Sequence, residues 1–318
     1  SHTNPDGDAV GSSLAWAEIL RGMGHAVTCI VPNKYPYFLD WMEGIDEIVI
    51  FKTDTEGRAV RAIEEADAIF CLDFNAVPRL EILSETIQAN TTARRVLIDH
   101  HLSPDDGFDL ALSFPDSSST CFVVYSIIEA LCGTDAITRR MAESLYVGMM
   151  TDTGNFAFSF LTPELFRAVA VLVERGISIP TIHNNVYNAY TEGRARLFGY
   201  AINRKMEIIQ DGTVAYMSLL ESEMRRFQFQ QGDSEGFVNY ALTIKKMKMS
   251  AMFLAHRKFI RVSLRSRGDV DVNLFARKYF NGGGHKNAAG GKSFVSMEET
   301  IAHYIRSVKE FAEEGHLG

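Results

Sequence analysis

The sequence has few cysteines, no long apolar run and no surplus of positive charge, and each absence excludes a class of protein. Its four cysteines form no Cys-x-x-Cys pair, which argues against a disulfide framework and favours a reducing, cytoplasmic compartment. No stretch approaches the roughly 18 apolar residues that a membrane-spanning helix needs, so we expect no membrane partner. No Gly-x-Gly-x-x-Gly follows a predicted strand, which argues against a dinucleotide-dependent oxidoreductase.

The charge balance limits the class of substrate. The chain has 40 acidic residues against 32 lysines and arginines, a formal net charge of −8. A sequence-independent grip on long duplex nucleic acid needs a surplus of cations, so we exclude that partner. A small anionic substrate stays compatible with the balance, because bound cations can reverse the sign of a local site.

The N-terminal part predicts an α/β domain over residues 1–190. Strand and helix patterns alternate there, which is typical of a parallel sheet with helices on both faces. The predicted strands cover 25–31, 48–51, 68–73 and 95–99. The predicted helices cover 12–21, 58–65, 120–132, 139–150, 163–175 and 179–188. Ligands of such sheets bind beyond the carboxyl ends of the strands, where this sequence places its polar clusters.

The C-terminal part predicts a smaller α+β domain over 207–318, after a charged helical linker at 191–206. Short strand patterns dominate the second domain, with one internal helix and one amphipathic helix at the end. The predicted strands cover 206–209, 214–220, 241–244, 249–254 and 259–264. The predicted helices cover 272–279 and 297–313, and a glycine-rich loop is expected at 281–291.

The first chemical motif is SHTNPDGDAVGSSLA, with His2, Asp6 and Asp8. We expect Asp-Gly-Asp to lie in a loop where Gly7 permits a sharp turn, so that the two carboxylates converge. For a single aspartate ahead of a helix, an N-cap role is the commoner explanation. Three ligand-type side chains within seven residues favour metal binding.

Two further motifs follow apolar strands. Asp73 closes the run AIFCLD, and a carboxylate beside a buried strand is costly unless it is paired or binds a metal. Asp99, His100 and His101 follow the next strand in VLIDHH. Neighbours in extended backbone point to opposite sides, so the two histidines should have different roles, and Asp99 could orient a histidine.

The fourth motif, YVGMMTDTGN, contributes Asp152, which alone would be taken for a loop residue. Together the four motifs supply carboxylates and imidazoles without cysteine. Such ligands suit Mn²⁺ best, with Mg²⁺ or Fe²⁺ as alternatives. They are too many for one ion, whereas two ions about 3.5–4 Å apart that share a carboxylate would use them all.

These motifs resemble, in order and spacing, those of the DHH phosphoesterase family, which is named for the run at 99–101. The segment GGGHKNAAGG at 282–291 resembles the signature of the associated DHHA1 domain. Within the family, the chain is most similar to the nano-RNase and pAp-phosphatase group. The motif containing His2 normally follows a strand, so we also expect a segment ahead of Ser1 to supply that strand.

The resemblance implies a role for each matching residue. His2, Asp6 and Asp73 would bind one metal ion, and Asp73 would bridge to a second. The second ion would be bound by Asp8, Asp73, His100 and Asp152. His101 would contact a phosphate oxygen, with Asp99 supporting it, so that His101, Asp99 and Asp73 form the catalytic set.

The second domain is expected to hold the rest of the substrate. Arg265 can bind phosphate through its forked guanidinium, and the loop with Gly283, Gly284 and His285 can bring backbone N–H groups and a histidine donor close to it. The resemblance supports both as substrate contacts, although a glycine-rich loop alone is more often only a turn. Aromatic candidates for base stacking are Phe156, Phe158, His183 and Tyr187.

The predicted function is Mn²⁺-dependent hydrolysis of short oligoribonucleotides and dinucleotides to mononucleotides, and of pAp to AMP. One alternative is a pyrophosphatase or polyphosphatase that uses the same metal site. Another is a non-catalytic nucleotide-binding protein, which the complete ligand set disfavours. The sequence leaves the oligomeric state open, with a homodimer as one alternative.

Overall fold

The structure, a computed structural model, describes residues 1–157 and 160–317 of the chain. The chain divides into two compact units, the first spanning Ser1–Ala189 and the second beginning at Tyr190. In the described ranges, no helix combines the length and the apolar character that crossing a bilayer would require.

The first unit is built around short parallel strands, as the sequence predicts. A three-stranded parallel sheet has the order β3-β4-β5, and β1 pairs with β2 in a separate parallel pair. The strands are β1 Ile30–Val31, β2 Val49–Ile50, β3 Ala68–Leu72, β4 Arg94–Asp99 and β5 Leu110–Ser113. The helices are α1 Gly7–Gly22, α2 Arg58–Glu64, α3 Ser84–Ala89, α4 Thr120–Cys132, α5 Arg139–Asp152, α6 Pro163–Glu174 and α7 Ile179–Tyr187.

The carboxyl ends of β3 and β4 meet at one edge of the sheet. Leu72 pairs with Ile98, so the residues that follow, Asp73 and Asp99, emerge beside each other. The apolar runs form strands because their side chains are covered: Leu97 and Ile98 have no exposed surface. The register therefore places the two polar motifs together.

Two glycines let α1, α4 and α5 pack with unusually close contact. A Cβ at Gly11 of α1 would lie 2.3 Å from the carbonyl oxygen of Ser144 in α5. A Cβ at Gly148 of α5 would lie 2.1 Å from Cys121 Sγ and 2.7 Å from an oxygen of Asp8. Because neither glycine carries a side chain, Asp8 can lie buried between the start of α4 and the middle of α5.

The second unit contains a six-stranded mixed sheet with the order β10-β11-β9-β8-β7-β6. Only β7 and β8 pair in parallel, and the other neighbours are antiparallel. The strands are β6 Met206–Ile209, β7 Val214–Leu219, β8 Met249–His256, β9 Phe259–Ser266, β10 Gly283–His285 and β11 Ala288–Ser293. The helices are α8 Glu192–Tyr200, α9 Glu221–Arg226, α10 Phe237–Tyr240, α11 Val272–Tyr279 and α12 Met297–Glu313.

The two larger hydrophobic clusters of the second unit pack against its sheet. In one, Phe253 of β8 packs with Phe275 of α11 and Tyr304 of α12. In the other, Leu197 of α8 and Ala201 of the following π-helical turn are fully buried. The charged stretch at 191–206 thus contributes two residues to the core of the second unit.

Three local predictions are wrong. Of the strand expected at 25–31, only Ile30–Val31 is a strand in the structure. Residues 241–244 do not form a strand, and a 3₁₀ helix covers Ala241–Thr243 instead. The prediction failed because a short apolar run does not by itself distinguish a strand from a helical segment. The expected loop at 281–291 is largely a hairpin, in which Gly283 pairs with Gly290. A Cβ at Gly282 would lie 1.9 Å from the carbonyl oxygen of Gly290, so glycine permits this close pairing.

Candidate metal centre

Asp73 occupies a constrained position directly after β3. Its φ of 63° lies in the left-handed region, which aspartate tolerates better than most residues. Its N–H donates to the carbonyl of Ile98 at 3.1 Å, which continues the ladder to β4. Non-glycine residues in this region cluster at functional sites, where the surrounding structure holds them in place.

The motif around Asp6 and Asp8 starts a helix instead of forming a loop. Asp6 is the N-cap of α1, and its Oδ1 accepts from the N–H groups of Asp8 at 3.0 Å and Ala9 at 3.1 Å. The capping explanation is therefore correct for Asp6. The expectation that Asp8 lies in a loop is wrong, because the capped helix begins at Gly7 and includes Asp8 in its first turn.

The carboxylate of Asp73 lies close to three histidines, of which His101 has its Nδ1 3.8 Å from Asp73 Oδ1. Asp73 Oδ2 lies 3.4 Å from His2 Nε2, and Asp73 Oδ1 lies 3.7 Å from His100 Nε2. Asp6 completes a group with His2 and Asp73, in which one candidate ligand atom from each residue lies within 4.8 Å of the others. All members of this group but Asp6 are buried.

A second group combines Asp8, His100 and Asp152. The Nε2 atom of His100 lies 3.4 Å from Asp152 Oδ2 and 3.8 Å from Asp8 Oδ2. Asp152 is the last residue of α5, not a loop residue as its motif suggested. The structure thus brings together all six residues that the sequence assigned to metal binding, as two groups that meet at Asp73.

The electrostatics of this cluster suit cations. Burial raises the pKa of the Asp8 carboxyl well above its ordinary value, and the charges of Asp73 and Asp152 raise it further. Burial also raises the pKa of the Asp73 carboxyl, but the hydrogen bond and charge of His2 and the charges of the other histidines outweigh it and lower that pKa. Burial lowers the pKa of His100, yet Asp152, Asp8 and Asp73 outweigh it and raise it to about 9.

The side chains of the two groups have the chemistry that divalent metal ions require of their ligands. Packed carboxylates that compete for protons are stabilised when a cation takes the place of the protons. The two groups contain carboxylate and imidazole donors and no thiolate, a donor set that suits Mn²⁺, Mg²⁺ or Fe²⁺. The neighbouring thiol of Cys121 stays protonated, because burial raises its pKa well above the ordinary value.

His101 is held by Asp99. The Nδ1 atom of His101 lies 2.7 Å from Asp99 Oδ1, and Asp99 has no exposed surface. Burial lowers the pKa of His101, and the hydrogen bond that His101 donates to Asp99 offsets this only in part. The pair fixes the ring so that Nδ1 carries a proton towards Asp99, which leaves Nε2 as the nitrogen that would face a substrate.

Two of the predicted substrate contacts of the second unit, Arg265 and His285, lie in one row of its sheet. Arg265 of β9 is paired with Ala288 of β11, and Ala288 is paired with His285 of β10. Cross-strand neighbours project to the same face, so Arg265 and His285 share a face one strand apart. The N–H of Gly284 donates to Asn273 Oδ1 at 3.0 Å, and a Cβ on Gly283 would meet nothing closer than 3.5 Å.

The aromatic candidates for base stacking have packing partners in the first unit. The ring of Phe156 lies 5.8 Å from that of Tyr146, and the ring of His183 lies 5.1 Å from that of Tyr187. His183 Nε2 also contacts Asn155 Oδ1 at 2.6 Å. The fourth candidate, Phe158, lies outside the described residues.

Sequence reasoning missed the contribution of α4. Thr120 and Cys121 at its start contact the Asp8 carboxylate through their backbone N–H groups, and Thr120 also contacts Asp73. The sequence signal here, Ser119 ahead of an apolar helix, predicts a helix N-cap and nothing about carboxylates from distant motifs.

Two family models match the chain. The model described as "DHH family, N-terminal domain" matches residues 1–149, and the DHHA1 domain model matches residues 211–314. The chain belongs to the DHH family of phosphoesterases, and the resemblance seen in the sequence is confirmed.

Individual relatives extend over nearly the whole chain. A protein of Thermus thermophilus named bifunctional oligoribonuclease and PAP phosphatase NrnA is 26% identical, covering 98% of this chain and 88% of its own. The protein of that name from Bacillus subtilis is also 26% identical, covering 94% of this chain and 89% of its own. The crystal structure of a protein from Bacteroides fragilis, described as exopolyphosphatase-related, is 39% identical with a TM-score of 0.90, and it covers 98% of this chain and 90% of its own.

Proposed function

We propose that the first unit binds two divalent metal ions, with Mn²⁺ as the first candidate, and uses them to hydrolyse phosphate esters. His2, Asp6 and Asp73 would hold one ion, and Asp8, Asp73, His100 and Asp152 would hold the other. The observation that carries this assignment is the Asp73 carboxylate, whose two oxygens face His2 and His100 respectively. That is the arrangement a bridging ligand requires.

The bound ions would supply charge neutralisation for the phosphoryl oxygens and make a water molecule easier to deprotonate. The residues of the chain supply the rest. Asp8, Asp73 and His100 are buried, so they hold their geometry without competition from solvent. Asp152 is partly exposed, with a side-chain exposed fraction of 30%, and it lies where the cluster opens towards solvent.

His101 is assigned to a substrate phosphate. Its lowered pKa leaves the ring neutral in the free enzyme, and an arriving anion favours the protonated form. The ring would then donate from Nε2 to a phosphoryl oxygen while Asp99 holds Nδ1. Asp99 acts through His101, so it is a positioning residue.

In the second unit, we assign Arg265, His285, Gly283 and Gly284 to the remainder of the substrate. Arg265 and His285 share one face of the sheet. The guanidinium of Arg265 and the imidazole of His285 can both donate hydrogen bonds to the oxygens of a phosphate group. A Cβ on Gly283 would lie 3.5 Å from Asn273 Oδ1 and 3.8 Å from Arg277 Nε, and its absence would let an anion approach the backbone more closely beside that arginine.

The substrates we propose are short single-stranded oligoribonucleotides, dinucleotides and pAp. The names of the Thermus and Bacillus relatives support this choice, because both are called oligoribonucleases and PAP phosphatases and both align over most of this chain. The net charge of −8 disfavours long nucleic acid and is compatible with a small anion bound through metal ions.

A second candidate is hydrolysis of inorganic polyphosphate or pyrophosphate at the same metal centre. The observation that favours it is the 39% identity to the Bacteroides fragilis protein, which is described as exopolyphosphatase-related. The same metal ligands serve either substrate, so the two candidates differ only in what is bound beyond the reacting phosphate.

Turnover of 5′-phosphorylated diribonucleotides, pAp, pyrophosphate and polyphosphate should be measured side by side, with Mn²⁺ and with EDTA. We expect Mn²⁺-dependent release of mononucleotides and of AMP. Cleavage of pyrophosphate or polyphosphate alone would establish the second candidate. Absence of turnover of all four substrates, with metal bound, would refute a hydrolytic function.

Substitution of Asp73 tests the metal assignment. D73N keeps the shape of the side chain and removes the charge, so we expect turnover to fall by more than about 100-fold, beyond the 10–100-fold typical of residues that only orient metal ligands. D73A should behave likewise. The matched control is D46N, which changes an exposed aspartate of the same unit. Full activity in folded D73N protein would disprove the assignment.

A further inference from the structure

The start of α4 touches two of the proposed metal ligands at once. We propose that Thr120 is a positioning residue of the metal centre, whose hydroxyl fixes the Asp73 carboxylate so that each oxygen faces a different metal position. This inference rests on the proposed metal centre. It concerns a residue that belongs to none of the four ligand motifs.

The contact with Asp73 is direct and buried. The hydroxyl of Thr120 donates to Asp73 Oδ1 at 2.9 Å, and the two residues have exposed fractions of 0% and 2%. A hydroxyl has one proton to donate, so the bond to a carboxylate commits it fully. Holding Oδ1 fixes the rotation of the carboxylate, which directs Oδ2 towards His2.

The backbone of the same residue holds a second ligand. The N–H of Thr120 donates to Asp8 Oδ2 at 2.6 Å, and the N–H of Cys121 donates to Asp8 Oδ1 at 2.8 Å. The first N–H groups of a helix lack partners within the helix, and the helix dipole favours an anion there. Thr120 therefore links a carboxylate from α1 to a carboxylate that follows β3.

The Thr120 side chain is not needed for helix capping. Ser119 is the N-cap of α4, and its Oγ accepts from the N–H of Phe122 at 3.0 Å. Nearby, the carbonyl oxygen of Ser117 lies 3.2 Å from His100 Nδ1, which directs His100 Nε2 towards the carboxylates. The Thr120 hydroxyl thus binds a proposed metal ligand, while the Ser119 hydroxyl caps the helix.

The physical benefit is preorganisation. Metal binding requires both Asp8 and Asp73 to be ionised, and two like charges in a buried site repel each other. Donors that hold both carboxylates in place reduce the reorganisation that metal binding requires. Threonine is suited to this task because its β-branched side chain has few accessible rotamers.

The test compares T120V, which replaces the hydroxyl by a methyl group of similar size, with T120S, which keeps the hydroxyl. Mn²⁺ affinity is measured by calorimetry on metal-stripped protein, without substrate. We expect T120V to bind at least one Mn²⁺ about 10–100-fold more weakly, the range typical of partners that orient metal ligands. T120S should stay within about threefold of the wild type, since it keeps the donor.

The control is T300V, which removes another fully buried hydroxyl whose partner is Ser293, at 2.7 Å, in the second unit. We expect its Mn²⁺ affinity to equal that of the wild type. If T120V does not fold, T120A and T120S are compared by the same criterion. The proposal is overturned if the hydroxyl-free variant binds Mn²⁺ as the wild type does, or if T120S is impaired equally. A wild-type protein that binds no Mn²⁺ would instead refute the metal centre itself.

Discussion

Substitution of Gly148 by alanine should destabilise the first unit, although alanine is the better helix former. The new Cβ would lie 2.1 Å from Cys121 Sγ and 2.7 Å from Asp8 Oδ1, whereas non-bonded atoms prefer about 3.5–4.0 Å. Overpacking of this kind costs about 3 kcal/mol at the upper end of its usual range. The higher helix propensity of alanine offsets about 1 kcal/mol of this cost, so we expect the free energy of unfolding to fall by about 2 kcal/mol.

Tryptophan fluorescence isolates this effect, because both tryptophans of the chain, Trp16 and Trp41, belong to the first unit. Urea unfolding of metal-stripped protein gives the free energy of unfolding. In a thermal scan, the loss should lower the midpoint by about 4–8 °C, given about 2–4 °C per kcal/mol for a unit of this size.

A double-mutant cycle identifies the cause. Removing the sulfur with C121A should relieve the closest of these contacts, while those to Asp8 Oδ1 and to the Cβ of residue 121 remain. G148A and C121A should therefore couple favourably, by at least about 1 kcal/mol. The comparison is G11A. Its Cβ would lie 2.3 Å from the Ser144 backbone oxygen, whereas Cys121 Sγ is farther away, at 3.1 Å. Its coupling to C121A should be much smaller. A G148A protein as stable as the wild type, or equal coupling in both cycles, would refute the reasoning.

Three further predictions concern the sites described above. D99N, which disturbs the partner of His101 Nδ1, should lower kcat by about 10–100-fold; an unchanged kcat would contradict the positioning role. Mn²⁺ at about 100 times its dissociation constant should stabilise the first unit by about 2.7 kcal/mol, measured by tryptophan fluorescence, and EDTA should remove this gain; a transition insensitive to both would argue against the metal site. Burial raises the pKa of the Glu223 carboxyl, but its hydrogen bonds to the start of α9, to a tyrosine and to Lys205 outweigh this and lower it. Its stabilisation is therefore present above the ordinary glutamate pKa of about 4.3 and is lost as the pH falls through the lower folded-state value. E223Q should cost about 1–2 kcal/mol at pH 7, and calorimetry should show the difference from the wild type shrinking at acidic pH; a cost independent of pH would exclude this origin.

The sequence predicts the strands that carry the site because their signals are local. The runs ending at Asp73 and Asp99 are apolar, short and closed by a carboxylate, and in a parallel sheet such ends meet at one edge. The predicted helix 120–132 has the same bounds in the structure, since Ser119 caps it and Gly133 follows it.

The contacts that hold these residues in place could not be predicted from the sequence. Asp8 and Thr120 are separated by 112 positions, and the bond between them uses a backbone N–H that every residue except proline possesses. A hydrogen bond donated by a backbone N–H therefore cannot be predicted from the type of the donating residue. The close packing at Gly148 is hidden for a similar reason, because a glycine within a helix pattern can reflect a contact, a kink or neither.

The two proposed metal positions differ in how firmly the chain holds them. At the position of Asp8 and His100, both oxygens of the carboxylate accept backbone N–H groups and the imidazole is braced by a carbonyl. At the position of His2 and Asp6, the Nδ1 atom of His2 also lies near a carbonyl oxygen, that of Thr3 at 2.9 Å, but one oxygen of Asp6 is engaged as the helix cap and Asp6 is partly exposed. Ligands fixed by buried donors lose less freedom on binding an ion than ligands shared with a helix end. We therefore infer that the two positions differ in the ligand that α1 supplies: Asp8 is held rigidly by buried donors, whereas Asp6 is the more adaptable ligand, and Asp73 faces both positions.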